Sequence, residues 1–365
     1  MKITKIEPIH LSIPYRYGGP LQKADSLPWH TLESLFVKVT TDEGLVGWGE
    51  AFGFKACRVT KAAVECGIAP LAMGRDPSDI VGLTGLIARH LHNWGRSGPA
   101  VFALSALDIA LWDIAGQIAG QPLYRLLGAT SQVDRVPAYA SLLRYGSPAL
   151  VEQHCAAAIG QRYGQIKLHE IDEPCVAAAR QCIGPDVPLM LDVNCAWSRD
   201  EAVARAKALD RYRPLWLEEP VWPPEDCHGL GSVRSESGAR IAAGENAGSY
   251  CDLVQLVTIG KVDYLQPSIV KIGGISEMMR AATLCNETGI ELAPHSPFFG
   301  PGLLATVHVC ASRRQPPHVE RFYCDLESDP LGGLSEPVEG MMTVPQTPGL
   351  GVEIDEGVID TYRVH

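Results

Sequence analysis

Several features are missing from this sequence of 365 residues, and each absence argues against a class of protein. There is no dense run of Lys or Arg, and the formal net charge is −11, so we expect no nucleic-acid partner. There is no uninterrupted apolar run of about 18 residues, so we expect no membrane span. The first residues lack an apolar stretch followed by a small-residue cleavage site, so we expect a cytoplasmic protein.

Cysteine pairs of the CxxC type are also missing, although there are eleven cysteines. Their scatter is typical of reduced core thiols. Several lie in apolar or helical stretches: Cys66, Cys155, Cys182, Cys285 and Cys310. Cys195 lies close to the metal residues proposed below, but a soft thiolate is a poor ligand for Mg²⁺, so we favour packing.

The apolar content of 46% is ample for a barrel of about 250 residues and a smaller domain. The first 50 or so residues alternate like antiparallel strands, and the turn at 41–44 predicts a hairpin. Helical periodicity follows from about residue 56 to 119. Residues 1–130 are therefore predicted to form an α+β domain. Gly47, Gly49 and Gly53 resemble a dinucleotide-binding loop only weakly, because they follow a hairpin.

From about residue 136 short apolar segments alternate with helical stretches, which predicts a parallel barrel over residues 131–330. The tail, residues 331–365, is rich in Gly and Pro and is expected to fold back on the N-terminal domain. The eight predicted strands are VPAYAS, GQIKLHE, VPLMLDVN, PLWLEEP, RIAAGEN, VDYLQPS, ELAPHS and HVERFY.

Three acidic residues, Asp192, Glu218 and Glu245, stand at the ends of three successive predicted strands. They are about 26 and 27 residues apart, close to one strand plus one helix of a (β/α)₈ barrel. Carboxylates at the ends of neighbouring strands converge on one rim, and they repel each other unless a cation lies between them. Oxygen ligands on a rigid rim suit Mg²⁺.

Residues 103–128 (ALSALDIALWDIAGQIAGQPLYRLLG) resemble the signature region of the mandelate racemase and muconate lactonizing enzyme group of the enolase superfamily. The segments KIGGIS (271–276) and PGLGVEID (348–355) also fit this group. The resemblance covers nearly the whole chain. It implies a (β/α)₇β modified TIM barrel, an α+β capping domain completed by the C-terminal tail, one Mg²⁺ held by the three carboxylates, and a homo-oligomer.

The resemblance also implies a reaction on a small-molecule carboxylate. A base removes the proton next to the carboxylate, and Mg²⁺ stabilises the enediolate that forms. Enolase-superfamily sites use Lys or His as the base.

The end of the second strand, Lys167-Leu168-His169, supplies one candidate base. Members of the group often carry Lys-x-Lys here, with the second lysine as the base, so His169 occupies the catalytic position. Lys167 lies on the same face of the strand and is expected to lower the pKa of His169. A structural or substrate-binding role for His169 is the alternative.

His295, at the end of the seventh strand, is the second candidate base. Racemase-like members pair this histidine with an aspartate, but Ser268 stands in its place here. A serine can orient an imidazole without stabilising the imidazolium, so His295 is expected to be a weaker base and a better general acid. Lys271 is expected to approach the metal carboxylates as a charge partner.

Other polar residues are predicted to support this site. Glu320 matches a position that binds the substrate carboxylate, for which it must be protonated; a salt bridge with Arg321 is the alternative. Asn194 and Asn246 either support the ligands or cap loops, and Glu219 should point away from Glu218. Candidate substrate-selecting residues in the cap loops, which are equally open to ordinary packing, are Tyr15, Arg16, Lys23, Trp29, His30, Phe52 and Phe54.

The leading functional hypothesis is a Mg²⁺-dependent acid-sugar dehydratase, in which one histidine removes the α-proton and the other protonates the departing β-hydroxyl. A racemase or epimerase and a lactone cycloisomerase share the same first step. An inactive sugar-acid-binding barrel is the alternative of another class. A phosphate-binding barrel that uses the loop at 300–302 is a weaker rival.

Overall fold

The computed structural model describes residues 1–20 and 29–365 and, between them, the backbone of two short strands. Its N-terminal part contains an antiparallel sheet. The strands are β1 (Ile3–Arg16), β2 (Lys23–Ala24), β3 (Leu27–Pro28), β4 (Thr31–Thr41) and β5 (Val46–Ala51). β4 lies between β1 and β5. The predicted hairpin is confirmed between β4 and β5, where Gly44 adopts a φ of 84° that favours glycine.

Helices pack on one face of this sheet to complete the cap domain. They are α1 (Cys57–Ala63), α2 (Ala69–Ala72), α3 (Ile80–His90), α4 (Pro99–Ala119) and α5 (Leu123–Leu126), with a π-helical turn at Val64–Ile68 and a 3₁₀ turn at Leu91–Trp94. A Cβ on Gly49 would lie 1.9 Å from the carbonyl oxygen of Ala106 in α4. The glycines of β5 therefore let a helix approach the strand, and the weak dinucleotide-loop interpretation is wrong.

Helix α4 is the main core helix of the cap domain. By length and composition it could cross a membrane, but most of it is buried. It carries two buried carboxylates, Asp108 and Asp113, that form hydrogen bonds to other parts of the fold. Its apolar residues therefore serve the core of the cap.

Eight parallel strands and seven helices form the barrel, as predicted for a (β/α)₇β fold. The strands are β6 (Arg135–Leu142), β7 (Ile166–Leu168), β8 (Leu189–Asp192), β9 (Leu217–Glu218), β10 (Ile241–Ala243), β11 (Tyr264–Leu265), β12 (Glu291–Leu292) and β13 (Val319–Phe322). The helices are α6 (Pro148–Gly160), α7 (Glu173–Ile183), α8 (Arg199–Leu209), α9 (Cys227–Ser237), α10 (Tyr250–Thr258), α11 (Gly274–Thr288) and α12 (Pro301–Ala311).

The barrel strands pair in the order β13-β6-β7-β8-β9-β10-β11-β12. Across the remaining seam, between β12 and β13, Ser296 donates its backbone N–H to the carboxylate of Glu320 at 3.1 Å and its hydroxyl to the carbonyl of Glu320 at 3.1 Å. Hydrogen bonds between Ser296 and Glu320, each with one side-chain partner, thus join β12 and β13 at the carboxyl-terminal ends of the strands.

The chain after the barrel returns to the cap, as expected. β14 (Asp325–Leu326) pairs with β1, β15 (Met341–Thr343) pairs with β6, and α13 (Glu356–Tyr362) lies against β1. The antiparallel addition of β15 to the first barrel strand was not expected from the sequence.

Two buried carboxylates of the cap accept hydrogen bonds from the N-termini of barrel helices. Glu50 accepts a hydrogen bond from the N–H of Gly302 at 2.9 Å, at the start of α12. Asp108 accepts from the N–H and the hydroxyl of Ser276 at 3.0 and 2.5 Å, at the start of α11. Burial raises the pKa of both carboxyls to about 7. These bonds hold the cap over the carboxyl-terminal rim of the barrel.

Candidate active site

The three predicted metal carboxylates meet at this rim. Asp192 ends β8 and Glu218 ends β9, and the two residues face each other in the parallel register. Glu245 lies two residues beyond β10. One oxygen of each carboxylate lies within 4.8 Å of the others. The side chains of Asp192 and Glu218 are buried, while that of Glu245 is 16% exposed, so the cluster is open on one side.

Lys167 is the central cation of the cluster. Its Nζ lies 2.9 Å from Oε1 of Glu218, 2.8 Å from Oε1 of Glu320 and 3.3 Å from Oδ2 of Asp192. Burial disfavours its charged form, but these carboxylates outweigh burial and raise its pKa well above the ordinary value. Lys167, predicted as a catalytic residue, is thus a fixed positive charge.

The carboxylates still carry more negative charge than Lys167 neutralises. Burial, with the neighbouring Asp192, raises the pKa of Glu218 to about 8 against the effect of Lys167. Oxygens of Asp192, Glu218 and Glu245 lie within 4.8 Å of one another. Carboxylates that repel each other at this distance fit a divalent cation with hard oxygen ligands.

His169 follows β7 and contacts this cluster from one end. Its Nε2 lies 3.1 Å from Oδ2 of Asp192, and its Nδ1 lies 2.6 Å from the carbonyl oxygen of Leu142. Burial lowers the pKa of His169, and Lys167 lowers it further, as expected. The Asp192 carboxylate outweighs both effects, so the pKa is raised.

His295 follows β12 and contacts the cluster from the other end. Its Nε2 lies 3.2 Å from Oε2 of Glu245. Burial lowers its pKa, and Lys271 adds to the effect against the opposing Glu245 and Glu320.

Ser268 lies next to His295, in an isolated parallel bridge. The hydroxyl of Ser268 and Nδ1 of His295 are both buried, and neither has a hydrogen-bond partner in the described part of the chain. The structure therefore lacks the orienting hydrogen bond that the sequence suggested.

Glu320 was predicted to be either a protonated acid or the partner of a basic residue such as Arg321. The structure favours an ionised carboxylate paired with a basic residue. It accepts hydrogen bonds from the Ser141 hydroxyl at 2.7 Å and from the Ser296 N–H, and it is paired with Lys167. Burial raises its pKa, but Lys167 outweighs burial and lowers it to about 2. Its partner is not Arg321, which pairs with Glu336 at 2.6 Å.

The two asparagines behave differently. Asn194 lines the cavity above the carboxylates and donates its backbone N–H to Oδ1 of Asp192 at 3.0 Å. Asn246 donates its amide to Oε2 of Glu219 at 2.7 Å and accepts from Nζ of Lys271 at 3.1 Å. Lys271 therefore reaches an amide oxygen where a metal carboxylate was expected.

A cavity of about 350 Å³ lies between the cap and the rim. Its lining includes His169, Asn194, Glu245, Lys271, His295 and Glu320 from the barrel, and Trp29, Phe52 and Phe54 from the cap. The Trp29 and Phe54 rings meet edge to face at 4.4 Å, and Nζ of Lys271 lies 4.8 Å from the centre of the Phe52 ring. The cavity thus has an aromatic cap wall and a charged barrel floor.

Not every predicted cap residue lines this cavity. His30 is exposed, and Arg16 lines a different pocket. The Tyr15 ring packs against the Trp29 ring, with 5.9 Å between the ring centres. The side chain of Lys23 lies outside the described residues.

A larger hollow of about 1080 Å³ lies at the opposite end of the barrel. Tyr139, Trp216 and Tyr264 line it, and none of the metal carboxylates does. Barrel enzymes act at the carboxyl-terminal ends of the strands, so the smaller cavity is the candidate site.

Comparison with known proteins places this architecture in a family. Residues 20–128 match the mandelate racemase/muconate lactonizing enzyme N-terminal domain, and residues 149–358 match the enolase C-terminal domain-like family. The chain belongs to the mandelate racemase and muconate lactonizing enzyme group of the enolase superfamily. The resemblance inferred from the sequence is confirmed.

The relatives of this chain include a cycloisomerase and a dehydratase. The chain is 30% identical to D-galactarolactone cycloisomerase from Agrobacterium fabrum, over 100% of this chain and 99% of that protein. It is 31% identical to D-gluconate dehydratase from Thermoproteus tenax, over 90% of this chain and 70% of that protein. The crystal structure of a mandelate racemase/muconate lactonizing protein from Paracoccus denitrificans, complexed with magnesium, superposes with a TM-score of 0.86 at 30% identity, covering 99% and 97% of the chains.

Several residues at this superfamily site were missed from the sequence. Ser141 could have been found, because it lies two residues beyond the inward-facing Tyr139 on β6, at the end of a recognised strand. Glu33, Ser34 and Glu50 of the cap also line the cavity. Their place depends on how the cap docks on the barrel, which no local pattern encodes.

The rival phosphate-binding loop at 300–302 is contradicted. The N–H of Gly302 donates to the Glu50 carboxylate, and a Cβ on Gly300 would lie 2.2 Å from the Phe36 ring. A carboxylate therefore occupies the helix N-terminus that a phosphate would need.

Proposed function

We propose that the protein is a Mg²⁺-dependent enzyme that removes the α-proton of an acid sugar and expels the β-oxygen, with dehydration as the leading reaction. The observation that carries the proposal is the position of two imidazoles at the two ends of one carboxylate cluster. Nε2 of His169 lies 3.1 Å from Asp192, and Nε2 of His295 lies 3.2 Å from Glu245. A substrate carboxylate bound at the cluster would have a proton-transfer group on each side.

Asp192, Glu218 and Glu245 are the residues that would hold Mg²⁺. When bound, the ion supplies a Lewis acid that stabilises the negative charge developing on the substrate carboxylate. Lys167 and Glu320 keep the carboxylate geometry fixed, because each is buried within an ion pair.

The histidines carry the protons. One imidazole takes the α-proton, and the electron pair of the broken C–H bond forms a double bond between the α- and β-carbons. The bond from the β-carbon to its oxygen breaks, and the other histidine, as imidazolium, gives its proton to that oxygen. If the β-oxygen is a hydroxyl, water leaves and the enol converts to a 2-keto acid.

Cycloisomerisation is the second candidate. The relative from Agrobacterium fabrum that matches this chain over its whole length is a cycloisomerase. If the β-oxygen belongs to a ring, the same proton transfers open the ring and no water is lost. The aromatic cap wall of Trp29, Phe52 and Phe54 suits a compact cyclic substrate.

Two-base racemisation is less favoured. The partner that would stabilise an imidazolium at His295 is absent, because Ser268 makes no hydrogen bond to it within the described residues. A racemase requires each base to accept and return a proton in turn.

Incubation of the protein with Mg²⁺ and a library of acid sugars and their lactone or anhydro forms tests the proposal. A 2-keto product from an open-chain acid supports dehydration, and a product of unchanged mass from a cyclic acid supports cycloisomerisation. Recovery of both epimers without either product supports racemisation. If no acid sugar is converted, or if conversion persists after Mg²⁺ is removed with a chelator, the proposal is wrong.

A further inference from the structure

A second group of metal-ligating side chains lies in the cap domain, apart from the barrel rim. It consists of His10 on β1, Glu33 on β4 and Cys57 at the start of α1. One ligand atom from each lies within 4.8 Å of the other two. His10 and Cys57 are buried, and Glu33 is partly exposed.

His10 has a buried nitrogen without a partner. The residue is 4% exposed, and its Nε2 makes no hydrogen bond within the part of the chain that the structure describes. The nearest carboxylate oxygen, Oε1 of Glu33, lies 3.6 Å away, which is too far for a hydrogen bond. An imidazole nitrogen without a hydrogen-bond partner can offer its lone pair to a metal ion.

The 3.6 Å between Nε2 of His10 and Oε1 of Glu33 is too long for a hydrogen bond, but it suits two ligands of one metal ion. Nitrogen and oxygen ligands about 2.0–2.2 Å from a tetrahedral zinc ion lie about 3.4 Å from each other. The third ligand is a thiol, which selects a borderline or soft metal and is avoided by Mg²⁺.

We propose that His10, Glu33 and Cys57 form a binding site for Zn²⁺ or a similar transition-metal ion, distinct from the magnesium site on the barrel rim. Binding displaces the thiol proton of Cys57 to solvent and leaves one coordination position for water. Two anionic ligands then balance the charge of the ion.

The ion would join three separate elements at the cap wall. Glu33 lines the active-site cavity, and α1 follows the loop that carries Phe52 and Phe54 into it. The backbone of Gly53 packs closely against the thiol of Cys57, because a Cβ at Gly53 would lie 2.4 Å from Sγ. Metal binding therefore ties the aromatic wall of the cavity to the cap sheet and stabilises the fold.

Cobalt substitution tests the site directly. The reduced protein is stripped of metal, saturated with Mg²⁺ to fill the rim, and titrated with Co²⁺. We expect a thiolate-to-cobalt charge-transfer absorption that saturates at one equivalent and is displaced by Zn²⁺. Cys57→Ser abolishes this absorption, and His10→Gln weakens Co²⁺ binding by about tenfold or more, since even outer ligands contribute about 10–100-fold.

Matched variants separate this site from other ligands. Cys66→Ser removes an exposed cap cysteine and Glu245→Gln alters the rim, and both should keep the absorption. Zn²⁺ should raise the melting temperature of the wild type and leave that of Cys57→Ser unchanged, which also shows that the variant folds. The inference is overturned if the wild type shows no charge-transfer absorption, or if the absorption survives in Cys57→Ser. Neither result depends on turnover of an acid sugar.

Discussion

Lys167 and Glu320 form a fully buried ion pair, with Nζ 2.8 Å from Oε1, beneath the carboxylates that we propose as metal ligands. The pair connects β7, the second strand of the barrel, to β13, the eighth strand. The first strand, β6, lies between them. The pair keeps Lys167 protonated, so Lys167 is not available as a general base. It keeps Glu320 ionised, so Glu320 cannot donate a proton to the substrate. The two histidines are left to carry the proton transfers.

Replacing Lys167 with Met should destabilise the metal-free protein by about 3–5 kcal/mol, because it leaves buried carboxylates without their cation. Mg²⁺ should restore part of this loss, since it neutralises the same carboxylates. Urea unfolding with and without Mg²⁺ measures both effects. Lys207→Met, at an exposed position of α8, is the control and should cost less than about 0.5 kcal/mol. A loss of under about 1 kcal/mol in Lys167→Met would show that the ion pair does not hold the rim together.

Replacing Glu245 with Gln should weaken Mg²⁺ binding by about 10–100-fold or more, because it removes one anionic oxygen ligand. The fold should be retained, since the Glu245 side chain is partly exposed. Isothermal titration calorimetry measures the affinity, with Glu287→Gln on the exposed side of α11 as the control. Equal Mg²⁺ affinity in the two variants would remove Glu245 from the ligand set.

Replacing Asp108 with Asn should change how stability depends on pH. Burial raises the pKa of Asp108 from 3.8 to about 7, so between these values the folded protein holds a proton that the unfolded chain releases. The wild type therefore loses stability, relative to the variant, by up to about 1.4 kcal/mol per pH unit as the pH rises through this range. Unfolding of both proteins at a series of pH values tests this, and parallel curves would contradict the raised pKa.

Replacing Ser268 with Asp should place a carboxylate beside the unpartnered Nδ1 of His295. It should raise the pKa of His295 by about 1–3 pH units. The rising limb of the pH–rate profile shifts upward by this amount if His295 is the base, and the falling limb does so if it is the acid. Ser268→Ala should leave the profile unchanged, because the serine hydroxyl makes no hydrogen bond to the imidazole. The pH–rate profiles of the three proteins decide the point. A shift in Ser268→Ala would mean that the hydroxyl already orients His295.

Much of the fold and the carboxylate cluster could be predicted from the sequence, because both depend on local pattern. Strand–helix alternation gave the eight barrel strands, and even spacing brought Asp192, Glu218 and Glu245 to neighbouring strand ends. The alternation of side chains also placed Lys167 and His169 on one face of their strand.

The protonation states could not be predicted, because they depend on distances between strands. Lys167 lowers the pKa of His169 as expected, but the Asp192 carboxylate, 3.1 Å from Nε2, raises it by more. The protonation of Glu320 was left open, because the sequence does not show that Nζ of Lys167 lies 2.8 Å from its carboxylate. The presence of Glu33 and Glu50 in the cavity wall could not be predicted either, because these residues reach the cavity only when the cap packs on the barrel.

In the proposed mechanism, His169 and His295 transfer protons to and from the α- and β-positions of an acid sugar held at the carboxylate cluster. The most direct measurement is ¹H NMR of a converted acid sugar incubated in D₂O with Mg²⁺ and the wild type, His169→Asn or His295→Asn. We expect the variant that lacks the base to lose both α-proton exchange and product by about 10²–10⁴-fold. The variant that lacks the acid should keep α-proton exchange while losing product. Undiminished exchange and product in both variants would contradict a role of either histidine in proton transfer.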